Sequence, residues 1–340
     1  MMKKEKVLQI QALRALACFS VLVDHTKVPS TVGIGQFGVF IFFMISGYVM
    51  MLSTERTDNS GMLVKRFLRI APPYYVMTAA IIAINLVNQY VYTFKEYTDI
   101  SPYKIFTSVF FLAFLPNGLS TIVSVGWTVS IEMFFYLLFY VASRISFRFR
   151  GLLTIEGILF IQMVSSPLIA FGMDIPYARY HMVFFAIGIA VWYLKQFLID
   201  KIETKWQSKP VQYAIIFSSI VAFVVICVFY HDNTQTMCVL STVTLLFSLW
   251  ILFLDGFKFH RAIIWMGDRS FAIYLTHALT LQFCIQLVHP LNAWDFTSIA
   301  YFIAYFIFMM FVAEVFYQLI EKRVTGWIVK KYRSRMVAKQ

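Results

Sequence analysis

Charged residues are scarce in this sequence. They make up 14% of the 340 residues, whereas 60% of the residues are hydrophobic. A soluble domain carries about 25% charged and 45–50% apolar residues, so a soluble core cannot hide this much apolar surface. Lipid must solvate part of the chain, and the composition therefore predicts a polytopic membrane protein.

Short alternating segments, long hydrophilic stretches and internal repeats are also missing. The apolar runs are long and continuous, which favours membrane helices over a β-barrel. Only short connectors separate the runs. We therefore expect a single membrane domain over residues 1–340, with a core at about 8–320 and cytoplasmic tails at 1–7 and 321–340.

Cysteine is rare, and its spacing excludes a zinc or redox motif. Small buried thiols are the expected role, and neither a metal site nor a bound cofactor is predicted. The four cysteines lie in or beside apolar runs, at Cys18, Cys227, Cys238 and Cys284.

Lys and Arg exceed the acids and give a formal net charge of +12. They fall in every second connector, as the positive-inside rule expects, so the excess indicates topology rather than nucleic-acid binding. Both termini are predicted to be cytoplasmic. Eleven apolar runs lie near 8–26, 33–52, 72–92, 104–115, 123–142, 152–172, 181–199, 211–230, 238–254, 263–288 and 296–320.

One of these runs is too short to span. Residues 104–115 fall well below the roughly 20 residues that a crossing needs, so we interpret this run as re-entrant or interfacial. The predicted fold is all-α, with about ten transmembrane helices. The first run resembles a signal peptide, but its charged residues and the lack of an A-x-A-like site indicate a retained helix.

The first run contains the stretch "LRALACFSVLVDH". Arg14 and His25 are close to three helical turns apart, so they share one stripe and are separated by about 16 Å along the axis. This stripe offers an anion site toward the cytoplasm and a general base toward the outer face. Alternatively, Arg14 snorkels to the interface and His25 merely starts the external loop. Asp24 points about 100° away from its neighbour His25.

Two further segments combine small or basic residues with apolar ones. In "GQFGVFIFFMISGYVM" the small residues at 38, 46 and 47 favour close helix packing. In "KRFLRIAPPYY" Arg66 and Arg69 lie on one face of a helical turn and suit phosphate groups, although topology alone also explains their charge. Pro72 and Pro73 fit the start of the third helix.

Acidic and imidazole groups also occur inside later runs. Glu132 in "GWTVSIEMFFYLLFY" either orients an imidazole or accepts a hydroxyl proton, or it forms a structural ion pair. His277 ends "DRSFAIYLTH" and as a lone helical histidine is more often structural. Glu314 has no clear partner in sequence, and His181 is interpreted as interfacial.

These motifs occur together and in order, and the chain resembles the acyltransferase-3 family of membrane acyltransferases, which modify bacterial surface polysaccharides. The resemblance covers about residues 9 to 323. The family motifs are R/K-x10-H at Arg14 and His25, G-V-x-x-F-F-x-x-S-G from Gly38 to Gly47, R-x-x-R at Arg66 and Arg69, W-S/T-x-S-x-E at Trp127, Thr128, Ser130 and Glu132, and S-Y-x-x-Y-L-x-H from Ser270 to His277, with Phe271 in place of tyrosine.

The resemblance implies O-acetyl transfer from cytosolic acetyl-CoA, a co-substrate, to a sugar hydroxyl of a cell-surface polysaccharide or its lipid-linked precursor. It implies a protein of the bacterial inner membrane. His25 would be the base or a transient acyl carrier, oriented by Glu132. Arg14, Arg66 and Arg69 would bind acyl-CoA, and the supporting residues would be Ser46, Trp127, Ser130, Ser270, Tyr274 and His277.

Two departures and two alternatives accompany this reading. Met133 stands where many relatives carry a second acid. An appended extracytoplasmic hydrolase-like domain, common in the family, is not expected, so the chain reads as a stand-alone module. The alternatives are transfer of another acyl group, or to a non-polysaccharide acceptor, and a transporter. A transporter predicts repeat symmetry between halves, which the sequence lacks.

Overall fold

The computed structural model of the chain describes residues 7–26, 35–55, 61–91, 100–115, 120–170, 176–198, 204–229, 236–288 and 299–337. Regular structure in these ranges is helical and contains no β-strand. This confirms the predicted all-α class. Helices suit an apolar chain because they satisfy every backbone donor and acceptor within the segment.

Most of the helices coincide with the apolar runs. Tyr317–Thr325 is π-helical and joins the last two helices, and Thr204–Gln207 is a short 3₁₀ turn. The α-helices are α1 Leu8–His25, α2 Gly35–Ser53, α3 Met62–Val91, α4 Pro102–Phe110, α5 Gly126–Ile145, α6 Arg150–Ala170, α7 Pro176–Leu198, α8 Lys209–Phe229, α9 Thr236–Phe253, α10 Arg261–Asp268, α11 Ser270–Val288, α12 Ile299–Phe316 and α13 Gly326–Val337.

Several of these helices are long and apolar enough to cross a bilayer, which makes the chain a multi-pass membrane protein. Ser241–Phe253 and Ser270–Ile285 are apolar but shorter. The predicted total of about ten spans stays a prediction. In the described ranges five segments have the required length and composition: Gly35–Ser53, Met62–Val87, Gly126–Ile145, His181–Leu198 and Ile299–Tyr332.

Helix α4 is the short segment that the sequence predicts near 104–115. It has 9 residues, begins after the capping hydroxyl of Ser101 and ends at Phe111, whose φ of 56° is left-handed. Its length is about 14 Å at the rise of an α-helix, which is less than half of the hydrocarbon thickness. The helix therefore cannot span.

The prediction that Pro72 and Pro73 start the third helix is wrong. Helix α3 begins at Met62 and continues through both prolines. The proline nitrogens cannot donate to the carbonyls of Leu68 and Arg69, one turn earlier. Ile70, Ala71 and Tyr74, which flank the prolines, are buried, and α3 packs against α5 and the π-helical segment. Arg66 and Arg69 consequently lie on a helix rather than in a loop.

The run at 263–288 was expected to form one helix, but it forms two. Helix α10 ends at Asp268, Arg269 caps it, and α11 begins at Ser270. Two contacts lie at this break. A side chain at Gly267 would lie 2.0 Å from the Gln11 carbonyl oxygen, so α10 rests directly on α1. Arg269 folds back and stacks 4.4 Å from the centre of the Trp265 ring.

The chain forms two compact units that are interleaved in sequence. The first comprises Met1–Glu55, Phe184–Ser270 and Trp294–Phe306. The second comprises Arg56–Val183, Phe271–Ala293 and Ile307–Gln340. In the first unit α1 packs on α2, α9 and α10, and in the second α5 packs on α3 and α6.

Glycines set the close helix contacts of the first unit. A Cβ atom at Gly38 would lie 2.2 Å from the Ala17 carbonyl oxygen, and one at Gly47 would lie 2.2 Å from the Phe185 carbonyl oxygen. The packing role that the sequence predicts for these small residues is confirmed. Gly188 on α7 makes a contact of the same kind that the sequence did not predict: a Cβ there would lie 2.0 Å from the Met44 carbonyl oxygen.

Polar contacts hold the N-terminal end of α1. Gln9, which is 2% exposed, donates from Nε2 to Asp255 Oδ1 at 3.2 Å. Lys195 Nζ lies 3.3 Å from Asp255 Oδ2. One carboxylate thus ties the first turn of α1 to α7.

We predict that Gly188→Ala destabilises the protein by roughly 1–3 kcal/mol or more, because the new methyl group meets backbone that cannot move aside. The measurement is thermal unfolding of the purified protein in detergent. Gly326→Ala is the matched control, since a Cβ there meets nothing within 4 Å in a helical position. Equal melting temperatures for the two variants would contradict the packing argument.

Candidate active site

Helix α1 carries the first group of predicted site residues on one stripe. Arg14 is half-buried, and its Nη1 lies 3.5 Å from Gln11 Oε1. Cys18, one turn later, is buried and donates from Sγ to the Ser270 carbonyl oxygen at 3.3 Å. His25 ends the helix. The rise of an α-helix separates Arg14 from His25 by about 16 Å along the axis.

The hydrogen bond made by His25 defines its tautomer. Nδ1 lies 2.9 Å from the Val21 carbonyl oxygen. Because a carbonyl oxygen only accepts, Nδ1 must carry the proton in this bond. In the neutral form of this tautomer the lone pair is on Nε2. His25 itself is exposed. The backbone bond thus fixes the direction of the imidazole ring at the end of α1.

Asp24 has a structural neighbour of its own. A Cβ at Gly35 would lie 2.6 Å from Asp24 Oδ2, so the carboxylate rests against the first residue of α2. A negative charge at a helix N-terminus is favourable because it faces the positive end of the helix dipole. This contact gives Asp24 a structural role at the start of α2.

Two predicted supporting residues belong to the same unit. Ser270 is the first residue of α11, and its carbonyl accepts the bond from Cys18. The break before α11 thereby meets the stripe between Arg14 and His25. Ser46 is half-buried on α2, beside the glycine that contacts α7.

Helix α5 carries the second group on three successive turns. Thr128, Glu132 and Tyr136 follow one another at intervals of four residues. The Tyr136 hydroxyl donates to Glu132 Oε1. The Arg66 guanidinium carbon lies 5.4 Å from the centre of the Tyr136 ring, a cation–π contact. The carboxylate and the half-buried cation are therefore bridged by one tyrosine, whereas Arg69 is exposed.

Helix α11 adds a tyrosine and a histidine to this unit. Thr128 donates to the Val125 carbonyl oxygen at 2.8 Å, which leaves its oxygen to accept from the Tyr274 hydroxyl at 2.9 Å. His277 is 0% exposed, and its Nδ1 donates to the Tyr274 carbonyl oxygen at 2.7 Å. This bond fits the structural role that the sequence favours for His277. Ser130 donates to the Gly126 carbonyl oxygen within its own helix.

The contact between His181 and Trp127 is one that sequence reasoning missed. The His181 ring lies 5.0 Å from the Trp127 ring at an interplanar angle of 70°, an edge-to-face pair. Both side chains stay half-buried. Fifty-odd residues of sequence separate the two, and no local pattern joins them. The sequence hinted at this contact only in that a histidine begins one apolar run and a tryptophan lies near the start of another.

The structure thus assembles two groups, one in each unit. Arg14, Ser46, Ser270 and His25 belong to the first, and Glu132, with the remaining predicted residues, belongs to the second. The pairing of His25 with Glu132 stays a prediction. Across the described ranges, no group of three His, Cys, Asp or Glu side chains has the arrangement of a metal site.

Comparison with known proteins identifies the family. A model described as an acyltransferase domain matches residues 7–318, a span that includes every predicted site residue. The chain belongs to the acyltransferase-3 family. Its activity is therefore that of an acyltransferase.

Two curated relatives of this acyltransferase are distant, and each matches most of the chain. A putative acetyltransferase, ORF330, of Acidianus two-tailed virus is 24% identical over 293 residues, which cover 82% of this chain and 84% of the relative. The exopolysaccharide production protein ExoZ of Rhizobium meliloti (strain 1021) is 25% identical over 266 residues, which cover 73% of this chain and 77% of the relative. No solved structure matches the chain.

The bond between Thr128 and Tyr274 is testable by a double-mutant cycle. We expect Thr128→Val and Tyr274→Phe to show a coupling energy of about 0.5–1.5 kcal/mol, because either change alone removes the same buried bond. The measurement is the unfolding free energy of both single variants and the double variant in mixed micelles. Fully additive losses would contradict this contact.

Proposed function

We propose that this acyltransferase moves an acetyl group from cytosolic acetyl-CoA to a sugar hydroxyl of a bacterial cell-surface polysaccharide or its lipid-linked precursor. The observation that carries the proposal is the α1 stripe. On this stripe a half-buried arginine lies three turns from a histidine, and the Val21 carbonyl oxygen accepts the Nδ1 proton of that histidine. An anion site and an oriented base at this spacing suit a long phosphorylated thioester.

The orientation in the membrane follows from charge. Basic connectors alternate along the chain, so the positive-inside rule puts both termini and Arg14 toward the cytoplasm. His25 then lies toward the outer face of the inner membrane. Acetyl-CoA enters from the cytosol, with its phosphates near Arg14, Arg66 and Arg69, and its pantetheine arm runs toward His25.

The transfer step balances without another reagent. His25 Nε2 accepts the proton of the acceptor hydroxyl as that oxygen attacks the thioester carbonyl carbon. The carbon–sulfur bond breaks, and the CoA thiolate takes the proton from the imidazolium. The products are the O-acetylated sugar and CoA, and the histidine returns to its starting state. Glu132 stabilises the positive imidazolium in this scheme.

The supporting residues have roles consistent with their contacts. The Ser270 carbonyl accepts the bond from Cys18 at mid-stripe, Tyr274 bonds Thr128 of α5 in the second unit, and His277 bonds a carbonyl of its own helix. Ser130 bonds within its own helix, Ser46 is half-buried on α2, and Trp127 lies at the outer end of α5. The name of the Rhizobium relative, an exopolysaccharide production protein, supports a polysaccharide acceptor.

We expect His25→Ala to lower kcat by about 10²–10⁴-fold, the usual contribution of a general base, with little change in the KM for acetyl-CoA. Arg14→Ala is expected to raise that KM, because a charge-assisted contact to phosphate is lost. The measurement is CoA release by the purified protein supplied with acetyl-CoA and acceptor glycan. His260→Asn, at an exposed helix cap, is the control. Near-normal turnover in both test variants would contradict the mechanism.

The acceptor is identified by mass spectrometry of surface glycans from cells with and without the protein. An acetyl group that disappears with the gene supports the proposal. Another acyl mass, or modification of a non-glycan molecule, would redirect it to the alternative acceptors. Solute movement without label transfer from acetyl-CoA would favour a transporter instead.

A further inference from the structure

The helices at the cytoplasmic end of the second unit are longer than a bilayer requires. The segment Ile299–Tyr332 is a continuous helical stretch of 34 residues, and α3 has 30 residues. They correspond to roughly 50 and 45 Å of helix, whereas the hydrocarbon core is about 30 Å thick. Both must project beyond the lipid, and their positive charges place the projecting ends in the cytosol.

The two projecting ends lie side by side. The Tyr332 hydroxyl would be 2.9 Å from a Cβ at Gly61, the residue before α3, and the π-helical segment packs along α3. The helices therefore run antiparallel. Counting back from the Tyr332 contact brings Trp327 level with Arg66, and the π-helical residues level with Arg69. We call these paired ends, 61–69 and 322–335, the cytoplasmic stalk.

The stalk is strongly cationic. In sequence, α3 contains no acidic residue and 317–337 contains one, Glu321. Among the described side chains, Arg66 is half-buried and the others are exposed. The nine cations in sequence are Lys65, Arg66, Arg69, Lys322, Arg323, Lys330, Lys331, Arg333 and Arg335.

An aromatic ring lies among these charges. Trp327 is 61% exposed, and Lys331 Nζ lies 4.7 Å from its ring centre. If the span begins near Ile299, Trp327 is about 12 Å beyond the hydrocarbon boundary, further out than an interfacial tryptophan needs to be. Topology requires the charges but not an exposed indole beside them.

We infer that the cytoplasmic stalk binds the nucleotide end of acyl-CoA, with Lys330 and Lys331 on the 3′-phosphate and Trp327 against the adenine. This rests on the proposed function. The nucleotide carries a 3′-phosphate and a diphosphate, together about four negative charges, next to a flat aromatic base. Clustered cations and an exposed indole match both features. Arg66, level with Trp327, links the stalk to the tyrosine and carboxylate of α5.

The test compares CoA with dephospho-CoA, which lacks the 3′-phosphate, by equilibrium binding to the purified protein in nanodiscs. The double variant Lys330→Gln/Lys331→Gln is expected to weaken CoA binding roughly tenfold and to leave dephospho-CoA binding almost unchanged. Trp327→Leu is expected to weaken both. The matched control is Lys258→Gln/Arg261→Gln, two exposed cations of the first unit, which should change neither.

Each outcome separates the inference from the proposed function. Unchanged CoA binding in the Lys variant, or equal losses for CoA and dephospho-CoA, overturns the stalk site while the acetyl transfer remains intact. A loss seen only in nanodiscs that contain anionic phosphatidylglycerol overturns it in favour of lipid headgroups. If the unmodified protein binds neither nucleotide, both the inference and the acetyl-CoA donor fail.

Discussion

Close backbone approach around α1 is the constraint on which the first unit depends. Two glycines, Gly38 on α2 and Gly267 on α10, let these helices rest on carbonyl oxygens of α1. Lipid tails are as apolar as the side chains, so the hydrophobic effect does not drive helices together within a membrane. Close contacts instead supply the van der Waals energy that holds a bundle together. They also fix the rotation of α1, and with it the direction in which Arg14 and His25 present their side chains.

Residues that share a helix were largely accessible from the sequence. The phase relation of Arg14 and His25, the packing role of Gly38 and Gly47, and the shortness of α4 all follow from local spacing. The 3.6-residue period and the thickness of a bilayer suffice to derive them. The order of these motifs then led to the family.

Residues that meet through tertiary packing were not accessible in the same way. His181 and Trp127 come from different helices and share no pattern. Pro72 and Pro73 suggested a helix start because proline favours the first turn, yet packing outweighed that preference. The break at Arg269 has no glycine or proline at the break itself. Its signal was Gly267, whose small size matters only because α1 lies against it.

The π-helical segment Tyr317–Thr325 has a consequence for how the last helix can change. A π-helix holds its carbonyls with donors five residues ahead, so each residue advances the helix through a smaller angle than in an α-helix. Nine such residues turn the face of α13 away from where a regular helix would carry it. The segment therefore sets the facing of α13 by the number of its residues as well as by their identity. Relatives that gain or lose one residue there would present a different side chain where Trp327 now stands.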